Sequence, residues 1–497
     1  MYTNAKPHVG FAFELVLADV LARYHRLLGE DTWFLTGTDE HGTKVARTAQ
    51  ASGKNEQEFV DDITESVITL AKSLNISNDD FIRTTDKERH WPAVVKLWKK
   101  LEEKGDLYKK SYEGLYCAGC EAFLRKSEIV NGKCTIHNDR DLEVVKEENW
   151  FFRLSKYKNE VRKRLESDEL KIVPAGRKSE ILNLLDDADD VSFSRPSAQL
   201  KWGIPVPNDD SQTMYVWADA LANYISAIGY VSETEQFKNL WPADVHLIGK
   251  DILRFHAIYW PAMLLSLGLE LPKAIYVHGF ITVEGEKMSK SVGNVIDPSE
   301  LIEKYGSEVV RYFLAREIPS GEDGDFSYKK LEERYNGDLA NGLGNLVQRI
   351  VTLIDGKLNG ELIYKPKLIE GVVEKKIEEI FKSYIRDLDN FLLHEAAAKI
   401  WELIKFGDGY LEEKRPWSVI KHDAAEGEPR QGREGEFLAI MNNTTYILYN
   451  VAWMLTPFMP VTSDKIFEIL GADKTAPTLE NYKFVVKKST PLFPRIQ

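Results

Sequence analysis

The chain has 497 residues, with 65 Lys+Arg against 78 Asp+Glu, a formal charge of −13, 43% hydrophobic residues and 29% charged ones. That balance belongs to a soluble globular chain of roughly three domains and excludes extended disorder, collagen-like repeats and a histone-like polycation. No run of about 18 uncharged apolar residues is present, the opening MYTNAKPHVG lacks the apolar core of a signal peptide, and three cysteines cannot complete a disulfide framework, so no membrane is expected and the setting is a reducing, cytoplasmic one.

The first hundred residues read as α/β. After Gly10, the residues Leu17, Val20, Leu21, Tyr24, Leu27 and Leu28 fall on one helical stripe, with Gly29 as its stop. Residues 32–36 predict a short buried strand, and 45–51 and 56–74 two further helices. From about residue 109, short aromatic and cysteine-bearing strands replace helices, followed by the charged run KYKNEVRKRLESDELK. The α/β pattern resumes at 214–216. Residues 245–248 and 275–280 read as buried strands around one long helix over about 252–267. Beyond about residue 329 the pattern is helical to near 470, with AAEGEPRQGREGE, from Ala424, as a polar loop. The reading is one α/β sheet, interrupted by an insertion of about a hundred residues and followed by a helical domain.

Two stretches suit phosphate. Each Gly-Lys pair (at 53, 132, 249 and 356) is followed by Asn, Cys, Asp or Leu, so no G-x-x-x-x-G-K-[ST] exists, and no G-x-G-x-x-G exists either. Pro7-His8-Val9-Gly10 precedes a helix, where free N–H groups and the helix dipole favour an anion. Gly10 lets a flat base approach its backbone, and His8 can donate to a phosphate. Alone, a His-x-Gly of this kind is more often a turn. Lys287-Met288-Ser289-Lys290-Ser291, between Gly285 and Gly293, puts two ammonium groups and two hydroxyls on a glycine-flanked loop able to follow a polyphosphate. A single KxxK is more often a solvated loop.

Cys117-x2-Cys120 and Cys134-x2-His137 gather every cysteine and one histidine into a short window. Two close-spaced pairs can supply four N/S ligands to one closed tetrahedral site, which predicts a structural Zn²⁺. A Cys117–Cys120 redox pair would leave Cys134 and His137 unexplained. Trp217, Leu221 and Tyr224, and likewise Ile252, His256 and Trp260, recur at helical spacing. Such stripes are usually ordinary core, although an apolar aromatic cup also suits a thioether. Trp417, after Lys414-Arg415-Pro416, reads from spacing as a packing residue at a helix start.

The far-separated H-V-G and K-M-S-K-S stretches together resemble those of class I aminoacyl-tRNA synthetases. The segments YTNAKPHVG, LADVLARYHRLLG, FLTGTDEHGTK, YVWADALANY, HLIGKDILRFHAIYWPAML and HGFITVEGEKMSKSVGNVIDP resemble the methionyl-tRNA synthetase family. The resemblance runs from residue 2 to 298, with weaker helical matches to about 460. It implies a Rossmann-like parallel-sheet catalytic domain split by a zinc-bearing insertion and followed by an α-helical bundle. The implied segments are 1–108 and 208–280 (catalytic halves), 109–207 (insertion), 281–328 (lysine loop and stem-contact region) and 329–497 (anticodon-binding).

The same resemblance assigns ATP to His8, Gly10, Gly249, Asp251, Lys287, Ser289 and Lys290, with His8, Lys287 and Lys290 catalytic and Mg²⁺ accompanying ATP. It assigns methionine to Tyr2, Asp39, Arg195, Trp217, Tyr224, Ile252 and His256. Asp39 receives the ammonium group and Arg195 pairs with that carboxylate. Asn345, Arg349 and Trp417 are implied to read the anticodon of tRNA(Met), and a single zinc knuckle on Cys117, Cys120, Cys134 and His137 is also implied. The reaction is attack of the L-methionine carboxylate on the α-phosphate of ATP, then transfer of the aminoacyl group to the terminal ribose of tRNA. The small insertion disfavours the leucine, isoleucine and valine enzymes. Two departures stand out. Phe11 replaces the usual His of H-x-G-H, and relatives carry a further strand before Tyr2, without which the sheet would lose a central strand. A catalytically weak RNA-binding paralogue, a synthetase for cysteine or another small apolar amino acid, and a zinc-containing nucleotide oxidoreductase are the alternatives. With no β-barrel-like segment after the helices, a monomer is expected.

Overall fold

The computed structural model describes every residue except 121, 125–127, 139–140, 289–292, 422–429, 475–481, 489 and 497. Two compact units divide the chain: Met1–Glu14, Trp33–Lys72 and Ser77–His278 form one, and Leu15–Thr32, Ser73–Ile76 and Gly279–Gln497 the other. No helix among the described residues is long and apolar enough to cross a membrane.

In the first unit the parallel ladder is in two parts. Leu35–Thr38 pairs in parallel with Asp80–Arg83. Ala274–His278 lies between Val245–Gly249 and Lys171–Val173, parallel to both. Every residue of Ala274–His278 is buried, as expected of a parallel strand covered on both faces. The opening residues run along the free edge of Leu35–Thr38. The Met1 ammonium donates to Gly37 O (2.9 Å), Asp39 N–H to Met1 O (2.8 Å) and Thr3 N–H to Asp39 O (3.0 Å). Tyr2 and Asp39 thereby form a single parallel bridge beside that strand.

The inserted stretch is antiparallel. Leu107–Cys117 pairs with Glu143–Phe152 from Leu107↔Phe152 to Tyr116↔Glu143. Lys171–Val173 lies inside the stretch read as insertion, yet it joins the parallel sheet. A second difference concerns 214–216. The strand is Asp209–Met214, antiparallel to Ser194–Pro196, and the chain turns helical at Val216–Ala220. A third is the single long helix expected at 252–267. It is a 3-10 turn (Lys250–Ile252), a π-helical turn (Phe255–Tyr259) and an α-helix (Trp260–Leu267). Pro261 lacks the N–H that an α-helix would send to Ala257, and Trp260 N–H bonds Phe255 O instead.

The helix Val9–Leu27 begins after Pro7, takes its first bonds from His8 O (Phe11 N–H, 2.9 Å; Ala12 N–H, 3.1 Å) and stops at Gly29, whose φ of 82° suits only a residue without Cβ. The expected strand at 32–36 begins later, at Leu35.

The second unit is mainly helical, with long helices at Asn345–Leu358, Gly371–Asp389, Leu393–Lys414 and Arg430–Leu455. The wholly helical expectation is corrected by a strand pair, Glu361–Ile363 with Lys483–Val485. The polar loop expected from Ala424 lies outside the described residues up to 429, and beyond that it is corrected: residues 430–436 open the helix Arg430–Leu455. Within this unit Arg311 and Asp19, both with fully buried side chains, form an ion pair at 2.7 Å. The same guanidinium donates to Phe458 O (3.0 Å), Leu74 O (3.1 Å) and Pro457 O (2.9 Å). Asp19→Asn would strand this buried cation. It is expected to cost about 3–5 kcal/mol, seen as an earlier urea transition of the helical signal in circular dichroism.

Candidate active site

The site residues of the first unit collect at the carboxyl ends of parallel strands, where open α/β sheets bind ligands. Asp39 follows Leu35–Thr38, Gly249 closes Val245–Gly249, and His278 closes the neighbouring strand in register with Gly249. His8 caps the helix Val9–Leu27. Its Nδ1 accepts from Gly10 N–H at 3.0 Å, so the ring's proton is on Nε2, which is left to donate. His8 is solvent-accessible, yet the protein around it lowers its pKa by desolvation against the pull of Glu14 and Asp251. One turn on, Glu14 meets His278 Nε2 at 3.0 Å. Burial pulls the Glu14 carboxyl up, but that hydrogen bond, together with the electrostatic pull of His278 and the terminal ammonium, holds the group below its ordinary value. At Gly249, a Cβ would stand 2.8 Å from Asp251 Oδ1, so glycine lets the Asp251 carboxylate fold back over the strand end. Burial raises the Asp251 pKa.

The predicted aromatic stripes do come together. Trp217 stacks on Phe255 (3.9 Å, 8°) and meets His256 edge-on (6.1 Å). Tyr224 stacks on His246 (3.9 Å, 27°). His256 Nδ1 lies 3.0 Å from Ile252 O, which can only accept, so Nδ1 carries the proton and Nε2 accepts from Tyr224 Oη–H at 2.7 Å. Trp260 Nε1–H donates to His246 Nε2 at 3.2 Å, leaving that ring's proton on Nδ1. Both imidazoles are buried and neutral, with desolvation lowering His256 to about 4 and His246 to about 3. The result is a wall of rings without charge.

Beside it is Asp39, bridged to Tyr2 by the backbone ladder. Its Oδ1 accepts from Asn223 Nδ2 at 3.2 Å, and burial raises its pKa against the pull of the terminal ammonium. Arg195 is buried in the same unit. It donates to Ser192 Oγ (2.9 Å) and Ser194 O (2.7 Å) and lies over the Tyr215 ring (4.6 Å). It lines two cavities of about 580 and 400 Å3. The structure therefore surrounds Asp39 with Asn223 and the Met1–Thr3 segment, and Arg195 with serine oxygens and tyrosine faces. His246, Phe255, Asn223, Glu14 and His278 were missed by sequence reasoning. Strand-end position marks His278, and i+4 spacing from Gly10 marks Glu14. Nothing local marks the others.

Cys117, Cys120, Cys134 and His137 converge, with all ligand atoms within 4.8 Å of one another. Cys120 Sγ is 3.6 Å from Cys134 Sγ and 3.2 Å from His137 Nδ1, and Cys117 Sγ is 3.9 Å from His137 Nδ1. A tetrahedron with metal–ligand bonds of about 2.0–2.3 Å has edges of about 3.3–3.8 Å, so this cluster can hold a metal ion. Gly119 makes room for it, since a Cβ there would sit 2.5 Å from the His137 ring.

In the second unit, Glu284 (φ 51°) and Gly285 (φ 82°) turn Ile281–Val283 back into Glu286–Lys287, a two-residue hairpin turn whose positive φ values suit glycine. Lys287 is exposed on its return strand. Ser289 and Lys290 lie outside the described residues. Arg349 lies over the Trp417 ring (5.2 Å) while paired with Glu412 (2.6 Å) and Asp408 (3.3 Å). Asn345 is exposed one turn away.

The family model described as tRNA synthetases class I (M) matches residues 1–141 and 124–351, and the anticodon-binding domain of tRNA ligase matches 371–492. Fold and site thus define a class I tRNA synthetase. The chain is 44% identical to the methionine–tRNA ligase of Caldanaerobacter subterraneus subsp. tengcongensis, over all of this chain and 77% of that protein. It is 42% identical to that of Thermotoga maritima, over 100% and 79%. Mycobacterium tuberculosis methionyl-tRNA synthetase in complex with methionyl-adenylate superposes with a TM-score of 0.93 at 36% identity, covering 99% of this chain and 98% of that one. Within its class the chain belongs to the methionyl-tRNA synthetase family, and it is an ATP-dependent methionine–tRNA ligase. The cysteine-synthetase and oxidoreductase readings are thereby set aside.

The neutral histidines carry a pH signature. Unfolded imidazoles titrate near 6.5, so below that pH the unfolded chain binds protons that the folded wall refuses. Stability is unaffected above about pH 6.5 and falls as pH drops toward 4, by about 3 kcal/mol for each histidine at pH 4. A His256→Gln variant should show a shallower fall of the urea midpoint between pH 7 and pH 4.5.

Proposed function

We propose that methionine activation is carried by these residues in these roles. Asp39 receives the ammonium group. A permanent cation entering a partly dry site requires such a counter-charge, and the observation that carries the reading is this half-buried carboxylate, bonded to Asn223 and acting on the neighbouring Tyr224 ring of the neutral wall. Tyr2, Trp217, Tyr224, Ile252 and His256 accept the thioether, which gains from contact with ring edges and faces. Arg195 shapes the far side of the site from its tyrosine cradle. His8 offers Nε2–H to a phosphate as a neutral donor. Gly10, Gly249 and Asp251 bind the nucleotide base and ribose, and Lys287, Ser289 and Lys290 follow the leaving pyrophosphate.

The methionine carboxylate is itself the nucleophile, so the enzyme supplies positioning and positive charge as negative charge develops on pyrophosphate. Mg²⁺ bound to ATP adds further positive charge. Residues 1–108 and 208–280 act as catalytic halves, 109–207 as the insertion, 281–328 as the loop and stem-contact region, and 329–497 as the tRNA-reading part, where Asn345, Arg349 and Trp417 meet the anticodon. Arg349 would exchange its carboxylate partners for RNA. The metal at Cys117, Cys120, Cys134 and His137 is a structural Zn²⁺, and clustered thiols fit a cytoplasmic setting.

Replacing Lys290 by Ala is expected to slow methionine-dependent ATP–pyrophosphate exchange by about 10²- to 10³-fold; an unchanged rate would count against the assignment. Metal analysis of protein purified without chelator should give one zinc per chain. Cys134→Ser should remove it and lower the unfolding temperature.

A further inference from the structure

Behind the wall lies a polar cluster that the roles above do not use. Along Asp39-Glu40-His41 the side chains alternate as on a strand. Glu40 points one way, to Arg83 (2.7 and 3.0 Å) and Thr64 (2.8 Å). Asp39 and His41 point the other way, toward the helical turns Val216–Ala220 and Asn223–Ser226. His41 Nδ1 lies 2.6 Å from Asp219 Oδ2, and the other oxygen of Asp219 lies 2.6 Å from His90 Nε2. His90 Nδ1 lies 2.9 Å from Ser226 Oγ. His41, Asp219, His90 and Ser226 are at most 4% exposed. An ionised carboxylate only accepts, so both histidines donate to Asp219. Their two bonds hold that carboxyl below its ordinary value in spite of burial.

The arrangement is a latch. Two links, Asn223–Asp39 and Asp219–His41, join residues two apart on the strand end to residues four apart on the segment that carries Trp217 and Tyr224. Glu40 pins the same strand end from behind, and Trp202 Nε1–H caps Glu40 O at 2.6 Å. The strand end is therefore fixed on both faces.

We propose that Asp219, acting through His41 and His90, is a positioning residue that sets the separation between the Asp39 carboxylate and the Trp217–Tyr224 wall, and with it the reach from ammonium group to side-chain tip that the site accepts. This rests on the reading of Asp39 as the ammonium site. Loss of the latch loosens one dimension of the methionine site and leaves the nucleotide residues His8, Gly249 and Asp251 as they are.

Two variants at position 41 test it in ATP–pyrophosphate exchange. His41→Leu removes the donor, whereas His41→Asn keeps an N–H close to the place of Nδ1. The expected result is a methionine KM raised about tenfold or more in H41L, an ATP KM within about twofold of the parent, and a methionine KM near the parent's in H41N. Asp39→Asn is measured alongside. If D39N raises the methionine KM and H41L does not, the latch is overturned and the ammonium site stands. If D39N leaves that KM unchanged, the ammonium site itself falls, and the latch with it. A proportional rise in both KM values in H41L, or an H41L protein that does not fold, marks a purely structural network and likewise overturns the proposal.

Discussion

A carboxylate at a strand end, facing rings that carry no charge, is the constraint around which the first unit is arranged. Asp39 has no water-rich surroundings to spread its charge, so each neighbour must hold it or stay neutral. The ring wall stays neutral for a definite reason. His256 gives its Nδ1 proton to Ile252 O and accepts from Tyr224, while His246 accepts from Trp260. Each ring is then satisfied in its uncharged form; a proton added to His246 would break its bond from Trp260, and one added to either ring would bury a cation. Neutrality is thus built into the hydrogen bonding as well as into the burial.

The π-helical turn makes that wiring possible. Pro261 follows Trp260 directly, and the wider turn before it shifts His256 and Tyr259 from the positions that uniform α-helical spacing would give. Sequence spacing predicted that Ile252, His256 and Trp260 would share a face. The shared neighbourhood was legible, but the break in the helix was not, because periodicity measures the average repeat and a single proline alters it locally. The same limit explains His246 and Phe255. His246 alternates along a strand and Phe255 sits in an apolar run, so each looks like core until the fold sets it against Tyr224 or Trp217.

Long-range placement was the least legible level. The first helix, its glycine stop and the two helices after it were readable, since caps and stripes are local signals. That Lys171–Val173 leaves the inserted stretch to become an edge of the parallel sheet was not, because three residues carry too short a pattern. Likewise the Glu361–Ile363 strand sits in a helical context, and its partner lies more than a hundred residues away. The four metal-type ligands were fully legible: their spacing alone confines the geometry. Arg195 illustrates the opposite case. Its motif could be matched, yet its serine and tyrosine surroundings depend on strands that meet only in the fold.

The inserted stretch also bears on the wall. Arg254, immediately before the π-helical turn, is largely buried, pairs with Glu128 and lies over the Phe255 (5.0 Å) and Tyr259 (5.8 Å) rings. Glu128 adjoins Ile129–Val130, which pairs with Lys133–Cys134, and Cys134 is one of the four converging ligands. Burial disfavours a lone guanidinium, so Glu128 and the two ring faces together hold Arg254 in place. A metal that orders the knuckle would therefore order Glu128, and through Arg254 the first residues of the turn that carries His256. An ion with no direct part in chemistry can in this way narrow the range of positions open to a ring several contacts away.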